Sequence, residues 1–205
     1  MLSIITNKKI WVLYSYIIKL ILKLYGIDVG KRFYIEGTPQ IKIKGKASNI
    51  SLGNNISIFG SIDLRNRENG KIIIEDNVKL DNNVRLVAAR DGMIKIGQDS
   101  SIGPHTIING GGNVIIGKKV IFSKNISINA NEHNFKKSNN ISDQGFVYKD
   151  IVIKDDVFLG ANVSINKGVV LGEGSVIGAN AVVTKDTEPY SINVGIPSKK
   201  ISERL

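Results

Sequence analysis

The chain has two histidines and no cysteine in 205 residues. That inventory limits its chemistry before any fold is considered. A thiol acyl-enzyme, a disulfide and a thiolate metal site are excluded. No motif stands behind a nucleophilic serine. His133 lies in the polar run NANEHNFKKSNN and is the group best matched to taking a proton from a hydroxyl near neutral pH. His105 lies in IGPHTI, where a solvated corner is the simpler role and a contact to an acceptor the alternative.

What holds His133 is legible from a repeat. Residues 153–188 divide into six consecutive blocks of six: IKDDVF, LGANVS, INKGVV, LGEGSV, IGANAV and VTKDTE. Each opens with an aliphatic residue (Ile153, Leu159, Ile165, Leu171, Ile177, Val183) and carries Val, Ser, Ala or Thr fifth. A period of six fits neither a helix nor an ordinary strand and predicts a parallel β-helix. Earlier openings fall in threes, and three hexads make one triangular coil. Coils then start at 52, 74, 96, 116, 153 and 171, with spacings of 22, 22, 20, 37 and 18. Spacings above 18 are read as corner insertions at RENG, RDGM, near GGGN (Gly110 to Asn113), and between His133 and Ile151. Long structureless loops are uncommon in compact domains, so the 133–150 excursion is where function is sought.

The opening aliphatic side chain is expected to point into a narrow prism and stack on its counterparts about 4.8 Å above and below. Gly and Asn at the second and fourth positions, such as Gly160, Asn162, Gly172 and Gly178, are read as corner residues tolerating positive φ. The expected organisation is a helical segment over 1–30, a β-helix over 31–188 with an excursion loop over 133–150, and a short tail over 189–205.

Residues 8–25 (KKIWVLYSYIIKLILKLY) read as an amphipathic helix with Ser15, Lys19 and Lys23 on one stripe. The run is too short and too interrupted to span a bilayer. It is expected to pack on the prism end or a partner subunit; the alternative is peripheral association with the inner membrane surface. Residues 1–50 carry nine Lys or Arg and two acids, so +7 of the net +10 sits there. Such a charge suits anionic lipid or a phosphate-bearing substrate. No nucleic-acid-binding motif accompanies it, and no nucleic-acid partner is expected. No secretory signal is evident, so a cytoplasmic location is the expectation.

The run from Ile116 to Pro197 resembles the hexapeptide acyltransferases, in their maltose, galactoside and polysaccharide O-acetyltransferase branch. The matching pieces are IGKKVIFSKNISINANEH, IVIKDDVFLGANVSINKGVVLGEGSVIGANAVVTKD and VGIPSK. The resemblance implies an all-β, left-handed parallel β-helix with an N-terminal amphipathic α-helix, assembled as a homotrimer with sites between subunits. It implies acetyl-CoA as acyl donor, no metal, and His133 as general base. Phe158, Gly160, Ala161 and Ala179 match the family's donor contacts near the acetyl and pantetheine end, and Thr184, Lys185, Lys199 and Lys200 those nearer the phosphates. Asn109, Asn129 and Asn131 are candidates for hydrogen bonds to a saccharide acceptor. Direct transfer is implied: His133 deprotonates the acceptor hydroxyl, which attacks the thioester while backbone N–H groups stabilise the oxyanion. Glu132 and Asn134 flank His133 where the serine-specific branch has Asp, which argues against serine as acceptor. Phe158 stands where Trp is common, and Ile196 where Asn is common.

These readings favour O-acetylation of a sugar in surface-polysaccharide biosynthesis. N-acetylation of a nucleotide-linked amino sugar uses the same fold and donor. A non-catalytic scaffold is the third reading, and it leaves the histidine-bearing loop without a purpose. The zinc hydratase sharing the fold needs three histidines, one more than the chain has.

Overall fold

The computed structural model describes residues 8–204. A 17-residue helix, α1 (Lys8–Leu24), leads into a three-sided parallel β-helix. Its first face stacks seven strands, from Asp28–Val29 to Val170–Leu171. The second face ends on Ser191–Val194 and an antiparallel strand, Lys199–Glu203. The third face runs from Pro39–Ile43 to Val182–Val183.

The register follows the hexad openings. Leu52 pairs with Ile74, Ile74 with Ile96, Ile96 with Ile116, Ile116 with Ile153 and Ile153 with Leu171. All of these side chains are buried, as are the openings on the other two faces, including Leu80, Leu86, Leu159 and Ile165. Stacked aliphatic columns therefore make the core, and their burial is the main stabilising term. The winding also reaches further towards the N-terminus than the spacing predicts. Val29, Ile35 and Ile41 open an additional coil, with Val29 paired to Leu52 and Ile35 to Ile58. The β-helix thus begins at Asp28–Val29, not at 31.

The hexad glycines divide into two kinds, which corrects the single explanation expected above. Fourth-position residues do sit in the left-handed region: Asp156, Asn162 and Asn180 have φ of 57°, 61° and 61°. Second-position glycines do not; they are needed because the next coil presses on them. A Cβ on Gly160 would lie 2.6 Å from the backbone nitrogen of Ala179, and one on Gly172 would lie 2.4 Å from that of Pro189. Carboxamide ladders tie the corners together. The Asn125 side chain donates to Asn162 and Asn162 to Asn180, each at 3.0 Å. His105 shares this edge with φ 59°, between Asn83 and Asn125, and is exposed: it occupies the solvated corner.

Helix α1 covers the open end of the prism, but with the opposite orientation to the one its polar stripe suggested. Ser15 is 2% exposed. Its Oγ accepts a hydrogen bond from the Ile35 N–H at 2.8 Å and donates to the Trp11 carbonyl at 2.6 Å. The first coil has no coil beneath it to satisfy that N–H, so a hydroxyl from the helix does so. Trp11 and Leu22 are buried beside it.

Candidate active site

All insertions emerge at the corner between the third face and the first, at 44–49, 67–70, 89–92, 110–113 and 130–150. The last is a folded hairpin. Asn131–His133 pairs antiparallel with Phe146–Tyr148, opposing Asn131 to Tyr148, Glu132 to Val147 and His133 to Phe146. The Gln144 side chain closes the tip, bonding the Lys137 N–H at 3.0 Å and carbonyl at 2.9 Å, and the Asn139 carbonyl at 2.7 Å.

Strand alternation sends Glu132 and His133 to opposite sides of this hairpin. Glu132 forms a salt bridge with Lys167, which sits in the tight turn of the following coil. That contact ties the hairpin to the prism. The His133 ring is exposed and packs on Phe146, with ring centroids 4.1 Å apart. Among the described residues neither imidazole nitrogen has a hydrogen-bond partner. A small cavity of about 150 Å³ at the hairpin is lined by Glu132, His133, Phe135, Val147, Lys149 and Lys167. At the hairpin base, Tyr148 lies against Gly111 and under the Arg90 guanidinium, 4.2 Å from the ring centroid. An exposed imidazole on a two-stranded arm is accessible to an incoming hydroxyl.

Sequence reasoning missed Lys167, Phe146, Tyr148 and Arg90. The Glu132–Lys167 pair bridges 35 positions, and no local spacing announces such a contact. Since both side chains are partly exposed, the pair contributes no more than about 1 kcal/mol to stability. Lys167→Ala is therefore expected to leave the melting temperature nearly unchanged. Amide exchange should speed up in the 131–148 hairpin alone. Unchanged hairpin exchange would mean that the pair is not the brace.

The remaining sequence-predicted residues fall into separate groups. Asn109 and Asn129 lie side by side on the third face, joined by a 2.9 Å hydrogen bond, and Asn129 also donates to Ser127 at 3.1 Å. Part of their bonding capacity is thus spent within the ladder. Asn131 begins the hairpin strand that carries His133. Phe158 is 41% exposed on the second face, in a partly exposed apolar column with Ile121, Val176 and Ile192. Gly160, Ala161 and Ala179 occupy the corner between the second and third faces. Thr184 and Lys185 follow the last third-face strand, on the same side of the prism as the hairpin. Lys199, on the final strand, is exposed and has no ion-pair partner among the described residues. Lys200 bonds Glu188 at 2.5 Å and also Glu203, and these two carboxylates raise its pKa. The structure does not bring Phe158, Gly160, Ala161 or Ala179 to the His133 edge of the prism.

A second polar groove of about 250 Å³ lies on the third face, lined by Asp63, Arg85, Asn83 and His105 among others. There a 2.5 Å contact from Arg65 holds the Asp63 carboxyl below its usual pKa.

The repeat and the solenoid place the chain among known proteins. Residues 150–185 match the family described as bacterial transferase hexapeptide (six repeats). No curated protein matches the chain. Among solved structures, a point mutant of AntD, an N-acyltransferase from Bacillus cereus, is similar at 23% identity and TM-score 0.63 over 91% of this chain and 89% of that one. The polysialic acid O-acetyltransferase OatWY is similar at 22% identity and TM-score 0.60, over 86% and 89%. The polySia-specific acetyltransferase NeuO is similar at 25% identity and TM-score 0.53, over 87% and 86%. Residues 150–185 thus carry the hexapeptide repeat, and the chain has the parallel β-helix fold of these solved structures.

Proposed function

We propose that the chain is an acyltransferase that moves an acetyl group from acetyl-CoA to a saccharide hydroxyl, with His133 as general base. The observation that carries this reading is the braced hairpin, which offers an exposed imidazole at the edge of a hexapeptide prism. The similar structures support the class. AntD is an N-acyltransferase in complex with coenzyme A, and NeuO and OatWY are acetyltransferases of polysialic acid.

The residues present suit coenzyme A. Phe158 supplies an apolar wall, and Ala161 and Ala179 present only methyl groups at the neighbouring corner, where Gly160 lets the coils stack closely. Lys185 and Lys199 offer ammonium groups to phosphates, whereas Lys200 is already engaged by two carboxylates. Coenzyme A would supply the activated thioester. Because Phe158, Gly160, Ala161 and Ala179 lie on a different edge of the prism from His133, the arrangement supports a homotrimer whose sites lie between protomers. His133 would take the acceptor proton, and Asn131 and neighbouring carboxamides would orient the saccharide. Surface-polysaccharide biosynthesis, in the cytoplasm or at the inner membrane face, is the setting that fits.

A second reading, N-acylation of a nucleotide-linked amino sugar, is favoured by the likeness to AntD, crystallised with dTDP-4-amino-4,6-dideoxyglucose. Acetyl-CoA offered with hydroxyl and amine sugar acceptors, with free thiol release followed, separates the two. Turnover with hydroxyl acceptors is expected. Turnover with amines alone would establish the second reading. The absence of both thiol release and calorimetric binding of acetyl-CoA would leave a scaffold.

A further inference from the structure

We propose that the helix-capped end of the prism docks on an anionic lipid bilayer. The exposed face of α1 would lie in the interfacial layer, and the surrounding basic residues would meet the headgroups.

A helix that only closed a β-helix would bury one apolar stripe and present a polar one to water. Helix α1 buries Trp11, Ser15 and Leu22, yet its other side is also apolar. Leu13, Tyr16, Ile17, Leu20 and Leu24 are all exposed, Leu13 at 65% and Leu24 at 78%. This face continues into an apolar cleft of about 780 Å³ between the helix and strand Pro39–Ile43, lined by Tyr14, Ile18 and Ile41. Contiguous apolar surface of this kind marks an interaction site.

The charge around it selects the occupant. Lys23, Arg32, Lys42, Lys44 and Lys46 are exposed and take part in no salt bridge among the described residues. A second copy of the chain would bring the same positive charge to the same face and be repelled. An anionic bilayer complements both the charge and the apolar centre, with each basic residue strengthening binding about fivefold near the surface. No helix among the described residues is long and apolar enough to cross a membrane. The helix would therefore lie along the surface. In that pose the His133 hairpin stands about four coil steps, about 20 Å, above the helix-capped first coil.

The docking surface is independent of the proposed transfer, because its test measures binding without catalysis. The full chain is sedimented with phosphatidylcholine vesicles, with or without phosphatidylglycerol. Binding is expected to rise at least about tenfold on the anionic vesicles and to fall with salt. Leu13→Glu with Leu20→Glu should lower it by about tenfold or more, and so should Lys42→Glu with Lys44→Glu. All four side chains are outside the prism core, so circular dichroism should be unchanged. Two results would overturn the proposal. One is no sedimentation with either vesicle. The other is a Leu13→Glu, Leu20→Glu variant that changes oligomeric state but not vesicle binding, which would make the face a self-association surface.

Discussion

His133→Ala is expected to lower the rate of acetyl transfer by at least about 10²-fold, the usual contribution of a general base. The β-helix should remain intact. The ring is exposed, and truncation removes little beyond its packing on Phe146. An exposed aromatic pair of this kind is worth about 1 kcal/mol or less. Binding of acetyl-CoA should be retained, because Phe158, Gly160, Ala161 and Ala179 lie on another edge of the prism. Undiminished transfer by folded His133→Ala protein would remove the imidazole from the reaction.

Leu159→Ala carries the largest expected effect on stability, about 2–5 kcal/mol. Leu159 is fully buried and paired in register between Phe122 below and Ile177 above. Backbone ladders fix the distance between coils, so neighbouring side chains cannot close the cavity by moving together. The coil that would loosen also carries Phe158 and Gly160, so coenzyme binding should weaken along with stability. Denaturant unfolding monitored by circular dichroism measures the loss. A value below about 1 kcal/mol would be typical of a surface position and would contradict a packed prism.

The repeat was legible because one inward side chain recurs every six residues and nothing else can fill the prism. That is why strand pairs such as Ile116 with Ile153 match the spacing despite a long interruption. The first coil was harder to see. Its openings at Val29, Ile35 and Ile41 are surrounded by Lys31, Arg32, Lys42 and Lys44, charges that a terminal coil can expose on its outer side. Periodicity showed which residues of the helix share a stripe but not which stripe meets the body. Ser15 faces inward because a strand N–H at the prism end needs an acceptor.

At the candidate site, the place of His133 in an excursion was readable, but the excursion's structure was not. Its polar composition looks like a loop, and the pairing of Asn131–His133 with Phe146–Tyr148 depends on a turn closed by the Gln144 side chain. The carboxylate next to His133 in sequence pairs with Lys167, 35 positions away. The second-position glycines answer to packing between coils, not to backbone conformation. Positive φ can be guessed from residue type, whereas the approach of Ala179 to Gly160 exists only once the coils are stacked.

A crystal structure with coenzyme A and a hydroxyl-bearing saccharide tests the central claim most directly. The account predicts one His133 imidazole nitrogen about 3 Å from an acceptor hydroxyl, with the coenzyme sulfur beside that hydroxyl and the pantetheine chain along the Phe158–Ala179 edge of a neighbouring protomer. Coenzyme bound with its sulfur remote from every His133 ring in the assembly would contradict it.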